Sequence, residues 1–263
     1  MTTTKQNEKY LLQSANNTLK VIESIGKLGK ATLKDVCVDL SMQKSSVFRI
    51  LYTLEYTNFI YRDQAMRYHL SEKMIALGMS AMKHRDGHQR IADELNRLRD
   101  SVNETTNYGM LVHGPAVMIV NKAESKRVVK TTLDIGEVLP IHASAMGKSI
   151  LAFHKDPTLL DEIKANGLNA YTNNTITEYK SLIDRLNTIR NIGYSSDEEE
   201  VDLGLTCFAY PVFGSDGEVR SAVSISGATP RILENKEHIL QMLKKTSKII
   251  SQILESEAMS GLS

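Results

Sequence analysis

Two short apolar stripes lie almost end to end near the front of the chain. Leu33, Val36, Cys37 and Leu40 form the first, and Val47, Ile50, Leu51 and Leu54 the second. Each follows the i, i+3, i+4, i+7 spacing of one helix face. Only Ser41 and Met42 stand between them, with Gln43 opening the second helix. Two helices joined so tightly must cross steeply, which is helix-turn-helix geometry. The second helix then turns a polar, basic side outward, carrying Lys44, Ser45, Ser46 and Arg49. Arginine suits a guanine edge or a phosphate, serine and lysine suit phosphates, and Gln43 can reach a base. The pattern points to DNA contact rather than catalysis.

The flanking sequence completes a module. Ser14 is placed to cap a first helix running to about Leu28, with Leu19, Ile22 and Ile25 inward and Gly29 as its stop. After Asn58 the period changes to two. Phe59–Arg62 and Arg67–Leu70 read as strands joined by a turn over Asp63–Met66, a β-hairpin wing that brings Arg62 and Arg67 towards a phosphate backbone. A helix from Glu72 to about Arg85 follows, with Met74, Ile75, Leu77, Met79 and Met82 giving it an apolar face that suits a partner. The expected layout is an arm and winged helix-turn-helix domain over 1–72, a linker and dimerisation helix over 73–86, and a further domain over 87–263.

That last stretch mixes element types. Gln89–Asn103 reads as a helix, Tyr108–His113 and Ala116–Asn121 as a hairpin, and Arg127–Leu133 as a third strand. Helices follow at about Met146–His154, Pro157–Ala165 and Glu178–Ile192, then strands at Cys207–Phe213 and Val219–Ser226, then a helix from Ile232 to about Leu254. Hairpins with segregated helices indicate an α+β fold rather than a doubly wound sheet.

Charge follows the same division. Residues 1–85 hold 13 Lys and Arg against 7 Asp and Glu, whereas 86–263 hold 19 against 24, so a basic front precedes an acidic rear. The 41% hydrophobic content excludes a disordered chain. Cys37 and Cys207 are the only cysteines, which gives neither a disulfide framework nor a four-ligand zinc site. Without a long apolar run or a signal-peptide core, the expected location is the cytoplasm, with no membrane partner and no cofactor.

These residues carry a resemblance. From Ser14 to Gly78 the chain resembles the front domain of the IclR-type bacterial transcriptional regulators, with Lys44–Leu51 similar to their recognition helix. Three rear blocks resemble the same family in the same order: Leu139–Lys148, then Gly193–Glu199 with Gly204–Cys207, then Ala222–Gly227. Three departures stand out. Ser41-Met42-Gln43 replaces the family's frequent Gly-Leu-Pro, Gln64-Ala65-Met66 replaces a wing tip that usually holds glycine, and Met146 replaces a smaller residue.

The resemblance implies a GAF-like rear domain with a pocket for a small effector, often an organic acid. Elementary chemistry fits that expectation. A helix opening near Ala143 would offer the amides of Ala145 and Met146 to an anion. Ser224 and Ser226, two apart on a strand, face one side and can donate to a carboxylate or hydroxyl. Leu205 and Cys207 would form an apolar wall, and Asp197 would accept from a ligand hydroxyl or hold a water. Taken singly, each has a plainer explanation: serines packed on a strand, a small buried cysteine, an acidic solvated turn.

Enzyme signals fail. Gly147-Lys148-Ser149 ends like a phosphate loop, but His142 stands where that loop needs glycine. Ser41 to Lys44 matches Ser-x-x-Lys inside the helix-turn-helix, without companion motifs. The expected function is a ligand-responsive regulator, repressor or activator, binding a palindromic operator as a homodimer or homotetramer. The alternative is a small-molecule sensor or enzyme whose winged helix contacts protein instead of DNA.

Overall fold

The computed structural model describes residues 10–83, 87–112 and 114–260. Most of the expected arm, the end of the linker helix at Arg85, and His113 lie outside the described residues. The chain forms two compact units, 1–84 and 85–263.

In the first unit, α1 (Gln13–Leu28), α2 (Leu33–Leu40) and α3 (Lys44–Tyr56) precede the wing strands β1 (Ile60–Arg62) and β2 (Tyr68–Leu70), and α4 (Glu72–Lys83) follows. The two stripes meet as expected. Val36, Val47, Leu51 and Leu54 are buried with Val21, Ile25, Ile60 and Tyr68, and Leu33, Cys37, Leu40 and Ile50 pack around them. Thr32 caps α2 through a reciprocal pair with Asp35. The wing is tied back to the helices, because Ala31 and Tyr68 exchange backbone hydrogen bonds of 3.1 and 2.8 Å.

Two expectations for α1 need correction. Ser14 lies inside the helix, where its carbonyl accepts from Thr18 Oγ1, and the cap position is Leu12, which makes no side-chain bond. Leu19 is exposed, because the buried stripe runs through Val21 and Ile25 instead.

The second unit is built on an antiparallel sheet in the order β5-β4-β3-β8-β7-β6. Its strands are β3 (Thr105–Leu111), β4 (Ala116–Ala123), β5 (Val138–Pro140), β6 (Ser195–Glu198), β7 (Leu205–Phe213) and β8 (Val219–Ala228). Helices cover both faces. On one, α6 (Ala145–Phe153), α7 (Thr158–Asn166) and α8 (Tyr179–Ile192) bury Ile150, Ile163 and Leu186 against Val117, Ala209 and Ala222. On the other, α5 (Gly87–Val102), α9 (Thr229–Glu234) and α10 (Lys236–Ser260) bury Leu95, Ile232 and Leu243 against Phe208, Val223 and Ile225. The period of two along β8 thus feeds alternate residues into two cores. No described helix is long and apolar enough to cross a membrane.

The segment Arg127–Leu133 is not a strand and joins no ladder of the sheet. It runs as an irregular strap with Val128 and Val129 exposed. The expected last helix is two, α9 and α10, separated at Asn235.

The sequence departures at the front coincide with unusual backbone. Ser41 ends α2 at φ 51° and Met66 sits in the wing turn at φ 60°, both in the left-handed region that glycine adopts without penalty. A side chain there costs about 1–2 kcal/mol. Ser41→Gly and Met66→Gly are therefore each expected to raise resistance to urea by up to about 1 kcal/mol. Loss of stability in either variant would show that the native side chain contributes more than its backbone costs.

Candidate functional site

The outward face of α3 is open along its first two turns. Gln43 sits at the cap position without a side-chain bond, and Lys44, Ser45, Ser46 and Arg49 are exposed. The amides of Ser46 and Val47 bond back to the Gln43 carbonyl, which leaves those of Lys44 and Ser45 at the helix tip. Among the described residues, neither Lys44 nor Arg49 has an ion-pair partner. Phe48, Tyr52 and Tyr56 are also exposed, the two tyrosines stacked at 6.5 Å.

The wing arginines differ. Arg62 Nε donates to Glu55 Oε1 at 3.2 Å, with its guanidinium over the Tyr68 ring. Arg67 Nε donates to Asp63 Oδ2 at 2.9 Å. Asp63 also accepts from the Arg67 amide and contacts His69, which holds its carboxyl well below the usual range. A phosphate approaching the wing must compete with Glu55 and Asp63 for these cations, whereas Lys44 and Arg49 have no ion-pair partner among the described residues.

In the second unit, Ala145, Met146, Asp197, Leu205, Cys207, Ser224 and Ser226 all line one cavity. Ser224 and Ser226 come from the central strand β8. Leu205 and Cys207 come from β7, and Asp197 from the edge strand β6, paired directly across from Cys207. The N-terminus of α6 lies over these strands. Ser144 caps it, its Oγ accepting from the Gly147 amide at 3.1 Å and donating to the Pro140 carbonyl at 2.8 Å. The amides of Ala145 and Met146 have no hydrogen-bond partner outside the helix among the described residues, and both residues line the cavity. Met146 fits because Gly109 lies beneath it, where a Cβ would press on its sulfur.

The cavity is small, about 20 Å³. Leu133, Val201 and Leu205 separate it from an open cleft of about 410 Å³ lined also by Thr131 and Leu203. A ligand larger than water requires these side chains to move.

Sequence reasoning missed Asn107, Ser144, Leu133, Leu139 and Val201 as lining residues. Asn107 lies in the polar run Glu104–Asn107, which carries no strand signature, although β3 begins at Thr105. It also missed the ion pair of Lys148 with Glu200, both buried. Lys148 is therefore no phosphate-loop lysine. Burial lowers its ammonium below the usual range, against the pull of Glu200. Asp197 Oδ1 accepts from the amides of Glu200 and Val201, at 2.8 and 3.3 Å. Burial nevertheless pushes its carboxyl up to about 6, more than the Lys148 charge and these amides pull it down. The Cys207 thiol is raised by burial, so it is an inert wall rather than a nucleophile.

Comparison with known proteins adds the following. A family profile described as bacterial transcriptional regulator IclR C-terminal matches residues 79–252. One described as the IclR helix-turn-helix domain matches residues 14–64. The HTH-type transcriptional repressor AllR of Salmonella paratyphi A is 30% identical over 254 residues, 95% of this chain and 92% of that protein. AllR of Escherichia coli K12 is 29% identical over 219 residues, 83% and 80% of the two chains. Among solved structures, an IclR transcriptional regulator from Alicyclobacillus acidocaldarius superposes with a TM-score of 0.84 at 26% identity, covering 93% of this chain and 99% of that one.

The Asp197 carboxyl supplies a test of this geometry. Its folded value, about 6, lies above the 3.8 of an unfolded aspartate. Its contribution to stability is thus fully present below about pH 4 and is lost as pH rises through about 6. Asp197→Asn should flatten that part of the profile, measured by urea denaturation across the interval. An unchanged slope would mean that the carboxyl is not buried as described.

Proposed function

Because the chain belongs to the IclR family of bacterial transcriptional regulators, we propose that it binds a double-stranded operator through α3 and the wing, and that a small carboxylate in the rear cavity modulates this binding. The observation that carries the ligand half is the convergence of seven residues from separate segments on one small cavity beneath a helix N-terminus. Free amides and a helix dipole favour an anion there. In this reading the carboxylate docks on the amides of Ala145 and Met146 and on the hydroxyls of Ser224 and Ser226. Leu205 and Cys207 contact its carbon skeleton, and Asp197 takes a hydroxyl or a bridging water. Entry runs from the outer cleft past Leu133 and Val201.

The DNA half rests on the exposed cations of α3, which have no ion-pair partner among the described residues. Arg49 reads a base or clamps a phosphate, with Gln43, Lys44, Ser45 and Ser46 around it. Arg62 and Arg67 contribute from the wing after exchanging their carboxylate partners for phosphate. One short helix reads only a half-site, so a dimer on a roughly palindromic operator is the expected assembly. The half-exposed Leu77 on α4 suits that pairing; the side chains of Ile75, Met79 and Met82 lie outside the described residues. The names of the relatives make repression the sense to test first.

Two experiments test the two halves. Arg49→Ala should weaken specific operator binding by about 1–3 kcal/mol, read by fluorescence anisotropy at several salt concentrations. Unchanged affinity with an unchanged salt slope would remove Arg49 from the interface. A bound effector stabilises the fold by about 2.7 kcal/mol at a hundredfold excess over its Kd, so a thermal-shift screen of sugar, keto and aromatic acids should give a hit. Ser224→Ala combined with Ser226→Ala should abolish that shift and leave DNA affinity intact. Wild-type ligand affinity in the double variant would overturn the cavity assignment.

A further inference from the structure

The front unit carries a groove that the expected DNA contacts only partly account for. It lies between the start of α2, the first half of α3 and the wing, and encloses about 580 Å³. Leu33, Cys37, Phe48 and Met66 give it an apolar lining. Lys34 on α2, Lys44 on α3 and Arg62 on β1 give it three cations, and no carboxylate among the described residues lines it. Phe48 is 52% and Met66 60% exposed, so two large apolar side chains face water. Among the described residues, Lys34 has no ion-pair partner, and the carboxylate of neighbouring Asp35 is bonded to Thr32. Glu55, the partner of Arg62, is not part of the lining. The backbone pairing of Ala31 with Tyr68 fixes the start of α2 to the wing, so Lys34 keeps its place in one groove with Arg62 and Met66.

That combination selects its occupant. A small anion would neutralise one cation and leave Phe48 and Met66 wet. An extended polyanion whose charges alternate with less polar groups satisfies both, and a nucleic-acid strand, phosphate then deoxyribose, is built that way. The location agrees. A sugar-phosphate strand divides the major groove of a duplex from the minor groove. A helix lying in the major groove, with a wing beside it, straddles that strand. The space between α3 and the wing is this groove.

Resting on the reading that α3 enters the major groove, we propose that this groove seats one sugar-phosphate strand of the duplex. Lys34 on α2 clamps a phosphate beside the cations of α3 and the wing, and Phe48 and Met66 pack on the deoxyriboses. A phosphate contact sets register and carries no sequence information. Lys34 is thus a positioning residue. Its loss weakens every duplex alike, whereas loss of a base-reading Arg49 weakens the operator most.

Fluorescence anisotropy on the full chain tests this with two probes: a duplex recovered by the wild-type protein from a random-sequence pool, and a scrambled duplex of the same length. In Lys34→Ala, affinity for both should fall by the same factor. The plot of log affinity against log salt should become shallower by about one unit, the share of one phosphate. Lys34→Arg should restore the slope. Phe48→Ala should lower affinity and leave the slope unchanged. A methylphosphonate removes the charge of one phosphate, and should weaken wild-type binding at a position that no longer matters in Lys34→Ala. Wild-type slope in Lys34→Ala, wild-type affinity in Phe48→Ala, or a methylphosphonate profile that Lys34→Ala leaves intact overturns the strand seat. The α3 reading then stands if Arg49→Ala still weakens binding. Failure of the wild-type protein to hold any duplex overturns the DNA reading itself, and this inference with it. Binding of polyglutamate that Lys34→Ala abolishes, with duplex affinity untouched, reassigns the groove to an acidic protein and overturns it as well.

Discussion

The close approach of Gly147 to the backbone of Ile141 decides where the helix over the rear sheet begins. A Cβ at position 147 would fall on the Ile141 carbonyl, so only glycine lets residues 141–144 fold back beneath the first turn of α6. Everything around the cavity is referred to that contact. The Ser144 amide bonds to the Pro140 carbonyl at 3.0 Å, and the Ser144 hydroxyl caps the helix. Ser195 Oγ on β6 donates to the Ala145 carbonyl at 2.6 Å, which fixes the helix tip against the sheet edge. One residue further, Lys148 reaches Glu200, whose own amide bonds to Asp197. Helix tip, ion pair and Asp197 turn are thereby one connected structure. A buried ion pair adds little net stability once desolvation is counted, but removing one partner strands a charge. Its physical effect is to hold the 197–201 turn in one place relative to α6.

The two units were legible in the sequence to different depths, for a physical reason. The front unit is built from local patterns. Its apolar stripes, the Thr32 cap and the change to period two each act over a few residues, so the stripes of α2 and α3 predicted the inward side of those helices, while that of α1 misplaced Leu19. Two local details were hidden. Left-handed backbone at Ser41 and Met66 is imposed by the α2-to-α3 joint and the wing turn, against the preference of those residues. The partners of Arg62 and Arg67 are set by how the wing folds on α3 and on itself, so both arginines read as free cations when they are engaged.

The rear unit depends on long-range pairing. All seven expected lining residues meet at one cavity, yet composition alone favoured a solvated turn for Asp197 and plain packing for the two serines. The family pattern grouped them, and strand order explains why they meet: β6, β7 and β8 are neighbours although separated by loops in sequence. Asn107 was missed because hydrophobic periodicity marks strands by their apolar members, and β3 enters through Thr105 and Thr106, both buried. The strap at 127–133 was misread for the converse reason. Its valines have strand propensity, but the segment is held instead by side-chain and backbone contacts at Arg127, Val129 and Thr131, so no ladder forms.

That strap bears on how the cavity opens. Thr131 contacts Ser226, and Arg231 Nη2 donates to the Val129 carbonyl while the same guanidinium is paired with Glu104 at 2.6 and 3.0 Å. Leu133 closes the wall between cavity and outer cleft. An occupant that takes the Ser226 proton competes only with the contact to Thr131 on the strap, because Asn107 donates to Ser226 and uses a lone pair. Since the cavity is small, an occupant too large for it binds only an opened arrangement. It then shifts the balance between closed and open by its difference in affinity for the two, and by nothing else. A tight but rigid pocket would bind without signalling. A small cavity whose wall hydroxyl is shared with a surface strap ties occupancy to the position of that strap.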